Sequence, residues 1–148
     1  MNRFFRHPLT NAVGIGIFSL FYAVIFFAFS DRLQSQTGAA THAFWKAWDN
    51  LLDLGFHRYT AYALLSLTAF IVIFLLIKHK PYDEYHTTRL IKCLAISVIF
   101  TLFAIAVFFI VVLLDPSAII SKFTLFITVN WATVVFADMI YLLSCSKK

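Results

Sequence analysis

The segment Cys93–Leu114, with the sequence CLAISVIFTLFAIAVFFIVVLL, decides the fold because its 22 residues contain no charged side chain. A helix that crosses the hydrocarbon core of a bilayer needs roughly 20 predominantly apolar residues. Three further runs of comparable length lie elsewhere in the chain, and one of them carries a single acid, Asp138. The first of these runs lies between His7 and Asp31, the second extends from Tyr59 to Ile77, and the last starts after Lys122 and reaches Ser146. The pattern predicts four transmembrane helices.

The composition of the whole chain agrees with this prediction. Of its 148 residues, 61% are hydrophobic and 13% are charged, and the mean hydropathy is +0.86. A typical soluble domain is about 45–50% apolar and about 25% charged, and a chain of 17.0 kDa is too small to bury such an excess. Continuous apolar runs also differ from the alternating segments of about 10 residues that build a β-barrel. We therefore predict a single all-α integral membrane domain over residues 1–148, with spans near 9–30, 58–78, 91–114 and 120–144.

The first run has one alternative interpretation, a cleaved signal peptide, because Arg3 and Arg6 precede it. Its apolar body, Val13–Phe29, is longer than the 7–15 residues of a usual signal-peptide core. We therefore interpret the first run as the first membrane helix.

The charges predict the orientation of the spans. With four spans, both termini and the loop over residues 78–92 share one side, which has a net charge of +6, whereas the opposite side sums to zero. Short loops rich in Lys and Arg remain cytoplasmic. We expect both termini inside, in a multi-pass protein of the cell (inner) membrane. The basic residues then set the orientation of the chain and contact anionic lipid headgroups, and they do not indicate binding to nucleic acid.

The outer connection predicts an amphipathic helix at the membrane interface, over about residues 41–54. Apolar residues recur at helical spacing, and the polar residues Lys46, Asp49, Asn50 and Asp53 fall on the opposite face. Thr41 is the expected N-cap and Gly55 the expected C-terminal stop. Aromatic side chains favour the headgroup region, and the expected interfacial anchors are Phe44, Trp45 and Trp48. Such a helix either covers an outward-facing site, docks a partner, or only connects the first two spans.

The inner connection is the candidate docking surface for a cytoplasmic protein. Pro81, followed by two acids, predicts the start of a helix that extends from the membrane. Its acids and histidines do not form a recognised metal-binding pattern, so we expect neither a metal ion nor a cofactor. The candidate docking residues are Tyr82, Asp83, Glu84, Tyr85, His86 and Arg89.

Asn130 and Asp138 are the intramembrane candidates, because both lie within the fourth apolar run. Ionisable residues at membrane depth are functional candidates by default. The structural alternative for Asp138 is a pair with Lys92 or Lys78, or a hydrogen bond from Tyr141. Asn130 is expected to bond a neighbouring helix.

Three classes of function remain. The first is a non-catalytic, self-associating membrane subunit that anchors or recruits a partner, such as the membrane component of a bacterial signalling, immunity or phage-defence system. The second is a small oligomeric channel, transporter or lipid-handling protein that uses Asp138 and Asn130. The third, a membrane enzyme, lacks a recognisable set of nucleophile, base and partner in the sequence, so we expect no catalytic activity. We expect a homo-oligomer in which the fourth span makes the contact.

Overall fold

A computed structural model describes residues 8–28, 30, 42–77 and 84–146, and these residues form helices and short turns without a β-strand. The five helices are α1 (Pro8–Ala28), α2 (Ala43–Asp53), α3 (Phe56–Ile77), α4 (Glu84–Leu114) and α5 (Ile119–Ser146).

Four of these helices, α1, α3, α4 and α5, are long and apolar enough to cross a membrane. They confirm the four predicted apolar spans, and the chain is a multi-pass membrane protein. The third span begins earlier than its apolar core, at Glu84, so two helical turns precede the core. Pro81, the predicted start of this extension, lies outside the described residues.

Polar pairs fix the direction of α1 against α3. The hydroxyls of Ser19 and Thr68 are 3.3 Å apart, and Ser30 Oγ lies 2.6 Å from His57 Nε2. Residue numbers rise along α1 while they fall along α3, so the two helices are antiparallel.

The same reasoning applies to α1 and α5. Asn11 Nδ2 donates to Asp138 Oδ1 at 2.9 Å, and Trp131 Nε1 donates to Ser19 Oγ at 2.8 Å. The start of α1 therefore lies beside the last turns of α5. We call this the terminal end of the bundle, and the opposite end, which carries α2, the turn end.

Helix α5 is the centre of the bundle, and α4 is its outermost member. Among the apolar side chains, Trp131 and Val135 of α5 are almost fully buried, whereas the buried residues of α4 are only Leu90 and Ser97. Helix α4 packs on α5, with the rings of Phe108 and Phe126 stacked at 4.7 Å, and α1 packs mainly on α3. The bundle is thus a three-helix core with a fourth helix attached along one side.

Asp49 corrects the predicted amphipathic pattern of α2. The sequence places it on the exposed polar face, but the carboxylate is buried and accepts a hydrogen bond from Ser121 Oγ at the start of α5. The pattern assumed water on one side of the helix and lipid on the other, whereas α2 also contacts α3 and α5. Asp49 therefore helps to attach α2 to the bundle.

The predicted stop of α2 is confirmed. Gly55 has a φ of +79°, and its amide donates to the Leu52 carbonyl at 2.9 Å, as expected for a glycine that ends a helix in the left-handed region. The predicted N-cap, Thr41, lies outside the described residues, and His42 at the observed start makes no side-chain capping bond.

Lys122 holds the turn between α4 and α5. Its buried ammonium donates to the carboxylate of Asp115 at 3.0 Å, to the Ser117 carbonyl at 2.6 Å and to the Asp115 carbonyl. The hydrogen bonds from Ser117 and then Lys122 lower the pKa of Asp115 to about 2. Asp115 therefore stays ionised, and the turn keeps its ion pair, until the pH falls towards 2.

Candidate functional site: an intramembrane groove

A groove runs along the bundle between α1 and α4, and α5 forms its floor. Its volume is about 510 Å³, and it exists because α4 packs on α5 while α1 packs mainly on α3. The walls are mostly apolar, with Ile15 and Phe18 on one side and Leu102 and Ile105 on the other. Volumes of this size are typical of ligand and docking sites in proteins.

Asn130 supplies the most unusual group in the groove. Its Nδ2 donates to the Phe126 carbonyl of its own helix at 3.0 Å. The side chain is only 7% exposed, and its Oδ1 is buried without a hydrogen-bond partner among the described residues. The expectation that Asn130 bonds a neighbouring helix is therefore not met among the described residues of this chain. A buried acceptor without a donor lowers the stability of the fold by about 1–3 kcal/mol. A hydrogen-bond donor to this oxygen would therefore be stabilising.

Two hydroxyls of α4, those of Ser97 and Thr101, line the same groove. Neither forms a hydrogen bond with any other described residue. The groove thus combines an acceptor on its floor with two hydroxyls on one wall, in an otherwise apolar surrounding.

Asp138 lies near the terminal end and is 3% exposed. Its carboxylate accepts from Asn11, which also lines the groove. The alternative pairing with Lys92 is wrong, because Lys92 is exposed on α4 and forms no ion pair with Asp138 in the described part of the chain. Lys78, the other proposed partner, lies outside the described residues.

The same chain buries both intramembrane candidates, Asn130 and Asp138. The predicted oligomer contact through α5 assumes that a single bundle of 17.0 kDa has too little interior to shield these two side chains from hydrocarbon. Because one chain buries both, this argument for α5 no longer holds. The helix with the most exposed apolar surface is α4, not α5.

The docking candidates of the inner connection lie at the first turns of α4. Arg89 stands over the ring of Tyr85 at 5.2 Å, and the rings of Tyr85 and His86 are 5.9 Å apart. Glu84 begins the helix. Tyr82 and Asp83 lie outside the described residues. The described acids, histidines and cysteines contain no cluster of three that could hold a metal ion.

The three predicted anchors of α2 have different surroundings. Phe44 is largely exposed, Trp45 lies 5.5 Å from the Lys122 ammonium, and Trp48 packs edge-on against Phe56 at 5.7 Å. Trp45 and Trp48 therefore attach α2 to the bundle, and Phe44 is the one predicted anchor whose ring is largely exposed.

One buried polar cluster was not predicted from the sequence. Ser30 accepts from Arg58 Nε at 2.7 Å and contacts His57 Nε2. A serine beside a histidine has the composition of a nucleophile and its base, but Ser30 and His57 are each 1% exposed. This cluster joins the turn ends of α1 and α3 rather than offering a surface to a substrate.

Comparisons with protein-family models, with curated proteins and with solved structures found no match for this chain. Its function must therefore be inferred from the groove and the helix ends themselves.

Proposed function

We propose that the protein is a non-catalytic membrane subunit that associates with itself and recruits a cytoplasmic partner. The observation that carries this proposal is α4, which exposes most of its apolar surface beside a groove that contains an unsatisfied acceptor. An isolated protomer gains little packing from such a helix, whereas an assembly gains van der Waals contacts and interhelical hydrogen bonds.

In the proposed arrangement the terminal end faces the cytoplasm, the turn end faces outward and α2 lies at the outer interface of a cell inner membrane. The excess of Lys and Arg on the terminal side supports this orientation. The exposed Phe44 supports the position of α2, since aromatic rings favour the headgroup region.

The orientation can be tested with single cysteines in a chain whose native cysteines are replaced by serine. Cysteines at Asn2 and Ser146 should be shielded from an impermeant thiol reagent in intact cells, and a cysteine at Ser35 should react. Labelling of both termini in intact cells would contradict the proposed topology.

Partner recruitment is assigned to the first turns of α4, where Glu84, Tyr85, His86 and Arg89 lie. An aromatic ring under an arginine offers both stacking and charge, the side-chain types that dominate protein interfaces. Recruitment of a cytoplasmic protein is the role that such a subunit would have as, for example, the membrane component of a bacterial signalling, immunity or phage-defence system.

Co-purification from native membranes tests the recruitment. The tagged wild type should retain a soluble protein in stoichiometric amount, and Tyr85→Ala combined with Arg89→Ala should lose at least nine-tenths of it. Tyr59→Ala combined with Tyr62→Ala is the control, because both tyrosines are exposed at the opposite, turn end. Equal losses from the two double variants, or no stoichiometric protein with the wild type, would contradict the proposal.

A channel, transporter or lipid-handling function is the second candidate. The polar pair of Asp138 and Asn11 beside the groove favours it, because ionisable residues at membrane depth often mark conduction or coupling sites.

Asp138→Leu separates the two candidates. Under our proposal the variant loses the bond from Asn11, at a cost of about 1–3 kcal/mol, but it keeps its assembly on size-exclusion chromatography and its captured partner. The wild type should also give no ion flux in liposomes. A wild-type flux that Asp138→Leu abolishes while the assembly stays intact would favour the second candidate instead.

A further inference from the structure

Two hydroxyls that line the groove, those of Ser97 and Thr101 on α4, have no hydrogen-bond partner among the described residues. Other hydroxyls within the spans differ, since Thr68, Thr124 and Thr128 each donate to the carbonyl one turn back in their own helix. Ser97 is only 4% exposed, and a buried hydroxyl without a partner is unfavourable. A ligand that carries a hydrogen-bond acceptor would therefore be stabilised in this groove.

The level of Ser97 in the membrane follows from the pairing of the helices. Helices α4 and α5 are antiparallel with Phe108 beside Phe126, so Ser97, eleven residues before Phe108, is level with residue 137. Asp138, the next residue, accepts from Asn11 in the first turn of α1. Because the 21 residues of α1 match a hydrocarbon core of about 30 Å, this first turn marks the boundary of the core. Ser97 therefore lies close to that boundary.

The groove has the dimensions of one acyl chain. It extends from the level of Ser97 to that of Phe126, which is about 16 Å along α5 and close to half of a core of about 30 Å. Its volume of about 510 Å³ suits a small ligand. None of the residues that line it is charged. Phe18 and Leu102 on its two walls are 66% and 60% exposed, so the groove opens towards lipid.

We propose that the groove binds one acyl chain of an ester-linked glycerolipid, and that Ser97 and Thr101 donate to its ester oxygens. In a bilayer the ester groups of such lipids lie at the boundary of the hydrocarbon core, which is the level of Ser97. The acyl chain continues from there towards the midplane, as the groove does.

The polar and apolar parts of the groove favour this ligand over the other chains that a membrane offers. A hydrocarbon without an ester fills the volume but gives the two hydroxyls no acceptor. A free carboxylate supplies an acceptor but also a charge, and no cationic side chain lines the groove. An ester-linked lipid supplies the acceptor without the charge.

Native mass spectrometry of the purified full chain tests the preference for an ester. The protein would be delipidated in detergent and offered equal amounts of palmitoyl-oleoyl phosphatidylglycerol and its diether analogue, which has the same headgroup and chain lengths but no ester carbonyl. The wild type should retain one lipid molecule and favour the ester about three-fold, and at most roughly twenty-fold, as expected for a hydrogen bond within a membrane. Equal retention of the two lipids would overturn the assignment.

Ser97→Ala combined with Thr101→Val removes both hydroxyls with little change in volume. The preference for the ester should disappear in this double variant. Thr133→Val is the control and should keep the wild-type preference, because its hydroxyl donates to the Val129 carbonyl and lines a different groove. An unchanged preference in the double variant would contradict the two donors.

Two tryptophan substitutions on α4 test the position of the acyl chain. Val98 borders this groove and Ile96 borders the groove on the other flank of α4, and their exposures, 56% and 55%, are matched. Val98→Trp should reduce the retained lipid about five-fold or more, because an indole in the groove leaves no room for the chain. Ile96→Trp should leave the retained lipid unchanged, and equal effects of the two variants would contradict the site.

This inference goes beyond the proposed self-association and does not depend on it. The same spectra give the number of copies in each particle, so the two failures are distinguishable. A chain that assembles without a preference for the ester contradicts the lipid site alone. A monomeric chain that retains the ester lipid contradicts self-association alone.

Discussion

Gly14→Leu is expected to convert the assembly to monomers, with at least a ten-fold rise in the dissociation constant for self-association, while the protomer stays folded. Gly14 lies one turn from both Asn11 and Phe18, which line the groove. A Cβ at Gly14 would meet nothing within 4 Å, so the larger side chain fits the isolated chain. Leucine also favours a helix over glycine by about 1 kcal/mol. The same side chain would lie beside the groove, where it would hinder the packing of another helix against this side of the bundle.

Gly16→Leu is the matched control for this prediction. A Cβ at Gly16 would already lie 3.9 Å from Thr68 Cγ2 and 4.0 Å from Val72 Cγ2, because this glycine faces α3. These are ordinary van der Waals distances beside an open cleft, so the control should keep both the fold and the assembly, whereas Gly14→Leu should lose the assembly. Cross-linking and size-exclusion chromatography measure assembly, and circular dichroism in detergent measures unfolding. A fully assembled Gly14→Leu would show that self-association does not use this side of the bundle.

Trp131→Ala is expected to lower the free energy of unfolding by about 3 kcal/mol, near the lower end of the range for large-to-small changes in soluble cores. The indole is 2% exposed, its ring lies 5.9 Å from Tyr22 and 6.0 Å from Phe26, and its N–H donates to Ser19. The transfer of apolar surface contributes little between lipid and a membrane protein interior. The cost arises from lost dispersion contacts around a cavity and from the lost hydrogen bond.

Two further substitutions separate the contribution of the hydrogen bond from that of the buried ring. Trp131→Phe keeps most of the ring contacts and removes the donor, so it should cost about 1 kcal/mol. Phe136→Ala, at an exposed site on the same helix, should cost less than that. Unfolding followed by circular dichroism in detergent gives all three values. A value for Trp131→Ala equal to that for Phe136→Ala would contradict the central position of α5.

The four apolar spans could be predicted from the sequence because span length and the absence of charge are local properties. The order of the helices in the bundle could not. The third span has the most uninterrupted apolar sequence, yet it is the outermost helix, because an apolar side chain gains little transfer free energy when it moves from lipid into the bundle. Polar side chains mark the interior instead, and Ser19, Thr68 and Trp131 meet there through hydrogen bonds.

The candidate site was predicted only in part for the same reason. Asn130 and Asp138 could be selected as polar residues within an apolar run. Asn11 could not, because it lies in the first turn of its helix, where a polar side chain is common in any sequence. Its pairing with Asp138 spans 127 positions and depends on the antiparallel packing of α1 and α5. Asp49 was misplaced because the amphipathic pattern does not reveal that a second helix end covers part of the polar face.

Counting the copies in native membrane tests the central claim of a self-associating subunit most directly. The chain would carry one fluorescent label at its C-terminus, be extracted into nanodiscs of native lipid without detergent, and be counted by stepwise photobleaching. The account predicts particles with two or more bleaching steps, at the frequencies expected for an oligomer with incomplete labelling. A population that bleaches in single steps at all expression levels would contradict it.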